Sequence, residues 1–475
     1  MQEQDAKSSR SATPSGLGGP PGTRRLSRRW YAVYAAGSVG TGGFSTLPGL
    51  LLLVFLTDEV GVAASVAGLV VLGPKLLDVL LNPVVGAWSD RTRSRWGPRV
   101  PWMVAGAVVL PVFLVAMFAV PPGLTGGGAA LYVMAMFALA AIGYAFFQVP
   151  YVTLPAEITD SYPERTAMTA VRIVVLTLAI LVFGAGAPPL VDALGGGLAG
   201  YLGMAVVAAA ILAAGFLTSG VGLRHVPTVV RAEAEGSLRE QLRAVRDSHD
   251  FRVLLAAFTL QALAAGTMLA AIPYVAEHLL GSKGAITYLF VALVGPAVLV
   301  MPLWKWVAGR AGKRSGYLLS SLVFLAGALV LTATGWMPAA LVYLAVGACG
   351  VGYAGMQMFP LAMLPDTIQE DTQATGLRRA GTFTGVWTAG ETLGLAVGPA
   401  LYSLVLAVGG YVSTTAGQTV VQPDSARLAI GLGSGLLPSL LLIASIPLLR
   451  RYRLTEAGLL EAEPRAEPDE QARQP

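Results

Sequence analysis

Cysteine, histidine and charge are all scarce in this 475-residue chain, and each scarcity closes off a class of chemistry. Cys349 is the only cysteine, so no internal disulfide can form. The three histidines, His225, His249 and His278, are too scattered for metal-ligand spacing. Asp, Glu, Lys and Arg make up 12% of the residues, where an average soluble protein carries about 25%. The deficit runs the length of the chain, so it is not the mark of a single anchor. There is no HExxH, no nucleophile motif and no Walker loop, which excludes the usual hydrolytic and nucleotide-driven chemistries. The net charge of +5 sits in alternate connections, a topology signal rather than a nucleic-acid footprint.

What the chain has instead is apolar length, with 55% of its residues hydrophobic. Runs of about 20 such residues are the length of a membrane crossing. They fall near 31–56, 65–88, 103–121, 129–155, 167–191, 199–222, 253–280, 285–308, 316–335, 339–364, 381–408 and 427–449. A soluble, all-buried helical core is excluded, because nothing between the runs could cover so much apolar surface. The expected fold class is an all-α membrane protein of about twelve transmembrane helices. The first run is too long for a signal-peptide core and reads as a spanning helix.

The connections alternate in charge. Arg24, Arg25, Arg28 and Arg29 precede the first run, while Asp58 and Glu59 follow it. Arg91, Arg93, Arg95 and Arg99 follow the second, and the next connection, PPGLTGGG, has no charge. The longest connection, 223–252, holds six arginines, among them Arg231, Arg239 and Arg243. Arg310, Lys313 and Arg314, then Arg378 and Arg379, then Arg450, Arg451 and Arg453 continue on the same side. Both termini are therefore expected in the cytoplasm. The predicted organisation is a disordered tail 1–28, a six-helix bundle 29–222, a central cytoplasmic loop 223–252, a second bundle 253–450 and a tail 451–475.

The two bundles resemble each other. GYAFFQVPYVTLPAEI from Gly143 is echoed by GYAGMQMFPLAMLPDTI from Gly352, with one inserted residue. Pro83…Asp90-Arg91 has a weaker echo in Pro302…Gly309-Arg310. Two parallel six-helix repeats are the signature of a rocker-type carrier whose site lies between the halves near mid-membrane.

Polar residues inside the runs are the candidate site. Lys75, Asp78 and Asn82 are spaced three and four apart and share a helix face. Ionisable groups inside a membrane helix are costly, at about 2.5–3.5 kcal/mol or more, and mark function. Asp78 is the natural cation or proton site, with Lys75 either a substrate ligand or merely its neutralising partner. Glu391 lies among small residues with no charge within a turn, and a lone buried carboxyl is suited to carrying a proton. Gln148, beside Pro150, and its repeat partner Gln357 either bind substrate or bridge helices. Arg172 either reaches a substrate or snorkels to the interface. Trp387 either stacks on a substrate ring or packs the core. Trp88, Trp96, Trp102, Trp304 and Trp306 cluster at the predicted boundary as interfacial anchors. Asp90, Arg91 and Arg95, with Arg310 as echo, are expected to latch the halves at the cytoplasmic end.

One stretch is specific. DxxxNPxxGxxxDRTRSRWGxRxPW over 78–102 resembles the glycoside–pentoside–hexuronide:cation symporters of the major facilitator superfamily, the melibiose permease group. TDEVG after the first run, ERT…R opening the fifth and TGLRRAGTFTGVW before the eleventh support it, over about residues 30–450. The resemblance implies the major facilitator fold of two six-helix pseudo-repeats, no cofactor, and a small-molecule substrate moved with a coupling cation, H⁺ or Na⁺, by a monomer in the plasma (inner) membrane. In that family two acids on the second helix and one on the fourth hold the cation. Asp78 matches the first, whereas the others are Asn82 and Gln148 here. The family's sugar-gripping acid of the first helix aligns with about Gly42, and its eleventh-helix lysine with Thr392. Arg172 matches the family's fifth-helix arginine. With amides in place of carboxylates, a proton is the expected cation. An exporter of hydrophobic metabolites or drugs, or a lysolipid transporter, is the alternative on the same fold.

Overall fold

The computed structural model describes residues 27–159, 161–226, 245–375, 380–418 and 420–454. Most of both expected tails lies outside the described residues, as do Arg24, Arg25, Arg231, Arg239, Arg243, Arg378 and Arg379 and most of the central loop.

Twelve helical spans make up the described chain. We number them α1 (28–59), α2 (Ala64–Arg91), α3 (Val100–Phe118), α4 (Gly126–Ile158), α5 (Tyr162–Ala193) and α6 (Gly197–Gly222). The second set is α7 (His249–Leu279), α8 (Ala285–Leu299 with Met301–Ala311), α9 (Lys313–Leu331), α10 (Ala339–Thr375), α11 (Ala380–Val408) and α12 (Asp424–Arg451). Ten are individually long and apolar enough to cross a membrane, and the α8 pair is an eleventh, bent by 53°. The bend follows Gly295-Pro296 and Pro302, since each proline lacks the N–H that would bond back one turn. Helix α1 is diluted by Gly, Ser and Thr yet spans 32 residues, about 48 Å. Its continuation past Pro48 is a π turn, Pro48–Leu52, and a second, Phe55–Glu59, ends it. Helix α7 likewise ends in a π turn, Val275–Leu279, just after Pro273.

Helix packing repeats with the sequence. In the first half α1 packs on α5 and α6, α3 on α4 and α6, and α2 on α4. Six helices on, α7 packs on α11 and α12, α9 on α10 and α12, and α8 on α10. The halves meet along α2·α11 and α5·α8, which are exchanged by the same pseudo-twofold. The repeated Gly-Tyr-Ala has a packing cause. A side chain at Gly143 would lie 2.6 Å from the backbone N of Leu110 on α3, and one at Gly352 would lie 2.5 Å from that of Phe324 on α9. Backbone-to-backbone crossings of this kind take the place of hydrophobic packing between membrane helices.

Trp304 departs from the expected anchoring role. It is buried and donates from Nε1 to the Val351 carbonyl at 2.9 Å, pinning the lower arm of α8 to α10.

Candidate functional site

The face predicted on α2 turns inward. Asp78 is buried, and its Oδ1 has no hydrogen-bond partner; the same holds for Oδ1 of Asn82 and Oε1 of Gln148. Lys75 forms no ion pair with Asp78. Its ammonium instead lies 5.4 Å from the Phe44 ring centre and 5.9 Å from that of Phe137, a cation–π seat between α1 and α4. The neutralising-pair alternative is thereby replaced by two groups held apart on one face.

The register of α2 against α4 places these oxygens. Gly73 faces Met134 and Gly86 faces Val149, so the two helices run parallel. Asn82 is then about level with Tyr144. Gln148 lies on the order of 12 Å closer to the terminal end than Asp78 along the helix axis. Terminal end here means the end where α1 begins and α12 finishes. Asp78 and Gln148 are thus set on different levels of the two helices.

Arg172 points into the bundle. Its guanidinium is 5.4 Å from the Tyr151 ring, and its Nε is buried without a partner, so it does not snorkel. Tyr151 is itself fixed, donating to the Tyr34 carbonyl at 2.8 Å beside Ser38 and stacking on Tyr34 at 4.6 Å. Tyr144 is the junction: Asp78, Arg172 and, from the other half, Glu391 all lie within its electrostatic reach. Glu391 accepts a long 3.5 Å bond from Gln357 Nε2 and neighbours Tyr353. Thus Asp78, Arg172, Gln357 and Glu391 converge on the interior from four helices.

Other candidates fall outside this set. Trp387 stacks on Phe258 at 4.4 Å and is enclosed between α7 and α11, the core-packing alternative of its two readings. Gly42, aligned with the family's first-helix acid, sits where α1 crosses α5. A Cβ there would lie 2.9 Å from the Leu176 carbonyl oxygen, so no acid side chain fits at this crossing unless α1 and α5 move apart.

The expected latch between halves is not formed in this conformation, which is joined at the opposite end. Asp90 pairs with Arg99 at 2.5 Å, and Arg99 pairs with Glu157 at 2.6 Å and donates to Ser89 Oγ at 2.5 Å, all within the first half. Arg91 is exposed, Arg95 lies over Trp96 at 5.3 Å, and Arg310 lies over Trp306 at 4.2 Å. The second half has its own counterpart in Lys313 on Asp366 at 2.8 Å. These charges brace each half; they do not join the halves.

The halves are joined at the opposite end. Thr57 and Tyr274 hydroxyls are 2.8 Å apart, and Tyr411 donates to Asp58 Oδ1 at 2.6 Å. With its one proton so used, Tyr411 accepts from His278 Nε2 at 2.7 Å, which sets the histidine tautomer. Thr414 N–H donates to the Thr57 carbonyl, Ala416 N–H to that of Glu59, and Val60 bridges Thr415. Gly68 against Ser403 and Thr287 on the Ala185 carbonyl extend the seam inward. Sequence reading saw Asp58 only as a topology mark and His278 only as a stray. Their partners lie hundreds of residues away, and no local pattern announces them.

Two helical bundles related by a pseudo-twofold, sealed at one end over a polar interior, define a multi-pass membrane transporter and not an enzyme. The profile of the MFS/sugar transport protein family matches residues 33–456, and the chain belongs to that family. It is 25% identical over 512 residues to an uncharacterised symporter of Synechocystis sp., covering 89% of this chain and 94% of the relative. It is 24% identical over 445 residues to the glucuronide carrier protein homolog of Escherichia coli (strain K12), covering 92% and 95%. A solved bacterial homologue of the human drug peptide transporters superposes with a TM-score of 0.65 over 90% of this chain and 100% of that one, at 12% identity, a likeness of fold.

Proposed function

We propose that this transporter is a secondary active symporter that moves a sugar- or glycoside-like small molecule with a proton, by alternating access. It works as a monomer in the plasma (inner) membrane, with the terminal end and its basic connections in the cytoplasm. The observation that carries this reading is Asp78, a buried carboxyl with an unpartnered oxygen beside the interior junction at Tyr144. Protonation neutralises it and lowers the cost of moving the loaded site across the apolar seam. Sodium is disfavoured because the accompanying oxygens are amides set on different levels of α2 and α4. The sugar class rests on the family and on relatives named as symporters and a glucuronide carrier homolog. Arg172, Gln357 and Lys75 are the groups to meet its hydroxyls or an acidic substituent. One inward charge in a ~100 mV field supplies about 2.3 kcal/mol, roughly 50-fold accumulation.

The test is uptake of a panel of glycosides, pentosides and hexuronides into proteoliposomes driven by a pH jump, with a sodium gradient as the parallel arm. Accumulation of a sugar driven by the proton gradient alone is expected. Sodium-driven uptake would overturn the choice of cation. Efflux of apolar compounds with no sugar flux would replace the symporter with an exporter.

A further inference from the structure

Inside the second half, α7 carries one amide, Gln261, that is 1% exposed. Its Nε2 lies 3.0 Å from Ser321 Oγ on α9 and 3.1 Å from Ser445 Oγ on α12. Both hydroxyls give their own proton elsewhere, Ser321 to the Tyr317 carbonyl and Ser445 to the Leu442 carbonyl, each at 2.8 Å. The serines can therefore only accept, and turning the amide over would set its oxygen against two acceptors. The orientation is fixed, and it leaves Oε1 buried with no donor. Such an acceptor costs about 1–3 kcal/mol unless something donates to it.

Gln261 lines a cavity of about 10 Å³ with Tyr353, Gln357 and Glu391, otherwise walled by Phe258, Ala262, Met356 and Leu395. That is on the order of one water-sized sphere. The groups facing Glu391 are Gln357 and Tyr353 from α10 and Gln261 from α7 across the cavity. None is a cation. Glu391 is half-buried, and no cation among these groups compensates its ionised form, whereas its acid form is a donor.

We propose that Glu391, Gln261 and one water form a proton-holding site within the second half, in which the Glu391 acid donates to the water and the water donates to Gln261 Oε1. Ser321 and Ser445 act as positioning residues by fixing the amide. The site is separate from Asp78, so each half carries its own protonatable carboxyl. Its coupling role rests on the symporter reading; its occupancy does not.

Infrared titration of the purified full-length protein in lipid nanodiscs reads that occupancy without any substrate. A carboxylic-acid carbonyl band that disappears in Glu391→Gln is expected. In Gln261→Leu the band should move to higher frequency, and proton affinity should fall about tenfold, moving the midpoint down by about one pH unit. The Ser321→Ala/Ser445→Ala double variant frees the amide and should shift the band in the same direction by less; it carries the test if Gln261→Leu does not fold. A band unaffected by Glu391→Gln, or a frequency and midpoint the same in the Gln261 and serine variants as in wild type, overturns the site. An intact band with no proton-driven sugar flux would sink the symporter reading and leave the site standing. Proton-driven flux without the band would do the reverse.

Discussion

Tyr411 donates a 2.6 Å hydrogen bond to Asp58, joining residues 353 positions apart and in opposite halves. It is a bond to a charged acceptor, worth on the order of 1.5–3 kcal/mol, at the closed end of the molecule. Breaking it should therefore move the conformational equilibrium more than it lowers stability. Tyr411→Phe and Asp58→Asn should each raise the population open at that end roughly 10- to 150-fold. Spin-label distances between the α1–α2 and α11–α12 connections, measured in a Cys349→Ser background, would show this. An unchanged distance distribution in both variants would remove the latch.

Asp78 and Lys75 share a face but not an ion pair, which separates their expected phenotypes. Asp78→Asn should abolish accumulation driven by a pH jump while leaving substrate exchange at equilibrium measurable. Lys75→Met should leave proton coupling in place, because Lys75 is seated on Phe44 and Phe137. If Lys75→Met uncouples transport as fully as Asp78→Asn does, the two act as one charge pair after all.

The spans were legible because hydropathy over 20 residues is a local property, and so was the repeat, because its glycines answer to backbone contacts at Gly143 and Gly352. The inward face of α2 was legible from spacing alone. Gln261 was not: a single polar residue in a long helix says nothing until Ser321 and Ser445, on other helices, turn out to fix it. The basic connection after α2 reads as a bond between halves, and in this conformation its Arg99 holds Asp90 and Glu157 within its own half. Sequence shows that charges are near a helix end, not which acid they reach.

That hub makes a graded stability prediction. Arg99 and Glu157 side chains are only 12% and 11% exposed, while that of Asp90 is 56% exposed. Removing Arg99 leaves the Glu157 carboxylate partly buried and unpaired, so Arg99→Ala should cost about 3 kcal/mol, toward the low end for a broken buried pair. Asp90→Ala touches a solvent-screened contact and should cost about 0–1 kcal/mol. Thermal unfolding of the purified variants should rank them in that order. Equal losses would mean that Glu157 is not the partner that matters. Transport in Asp90→Ala should fall more than substrate binding does, if this connection is remodelled on reorientation.

Restoring the family's acids one at a time should give opposite results at two positions. Asn82→Asp would place a second carboxylate one turn from Asp78 on the same inward face, giving a cation several anionic oxygens from one helix. Sodium-dependent stabilisation or uptake should then emerge where wild type has none. Gly42→Asp cannot follow the same course. Its Cβ would meet the Leu176 carbonyl oxygen at 2.9 Å and Ala179 Cβ at 2.9 Å, both on α5. Backbone has nowhere to retreat, so α1 and α5 must separate, and the variant should lose at least the 1–3 kcal/mol typical of overpacking. It should unfold at lower temperature and gain no sugar affinity. A well-folded Gly42→Asp variant that binds glycosides more tightly would show that the α1–α5 crossing opens in another conformation, and that the missing acid is a matter of specificity rather than of packing.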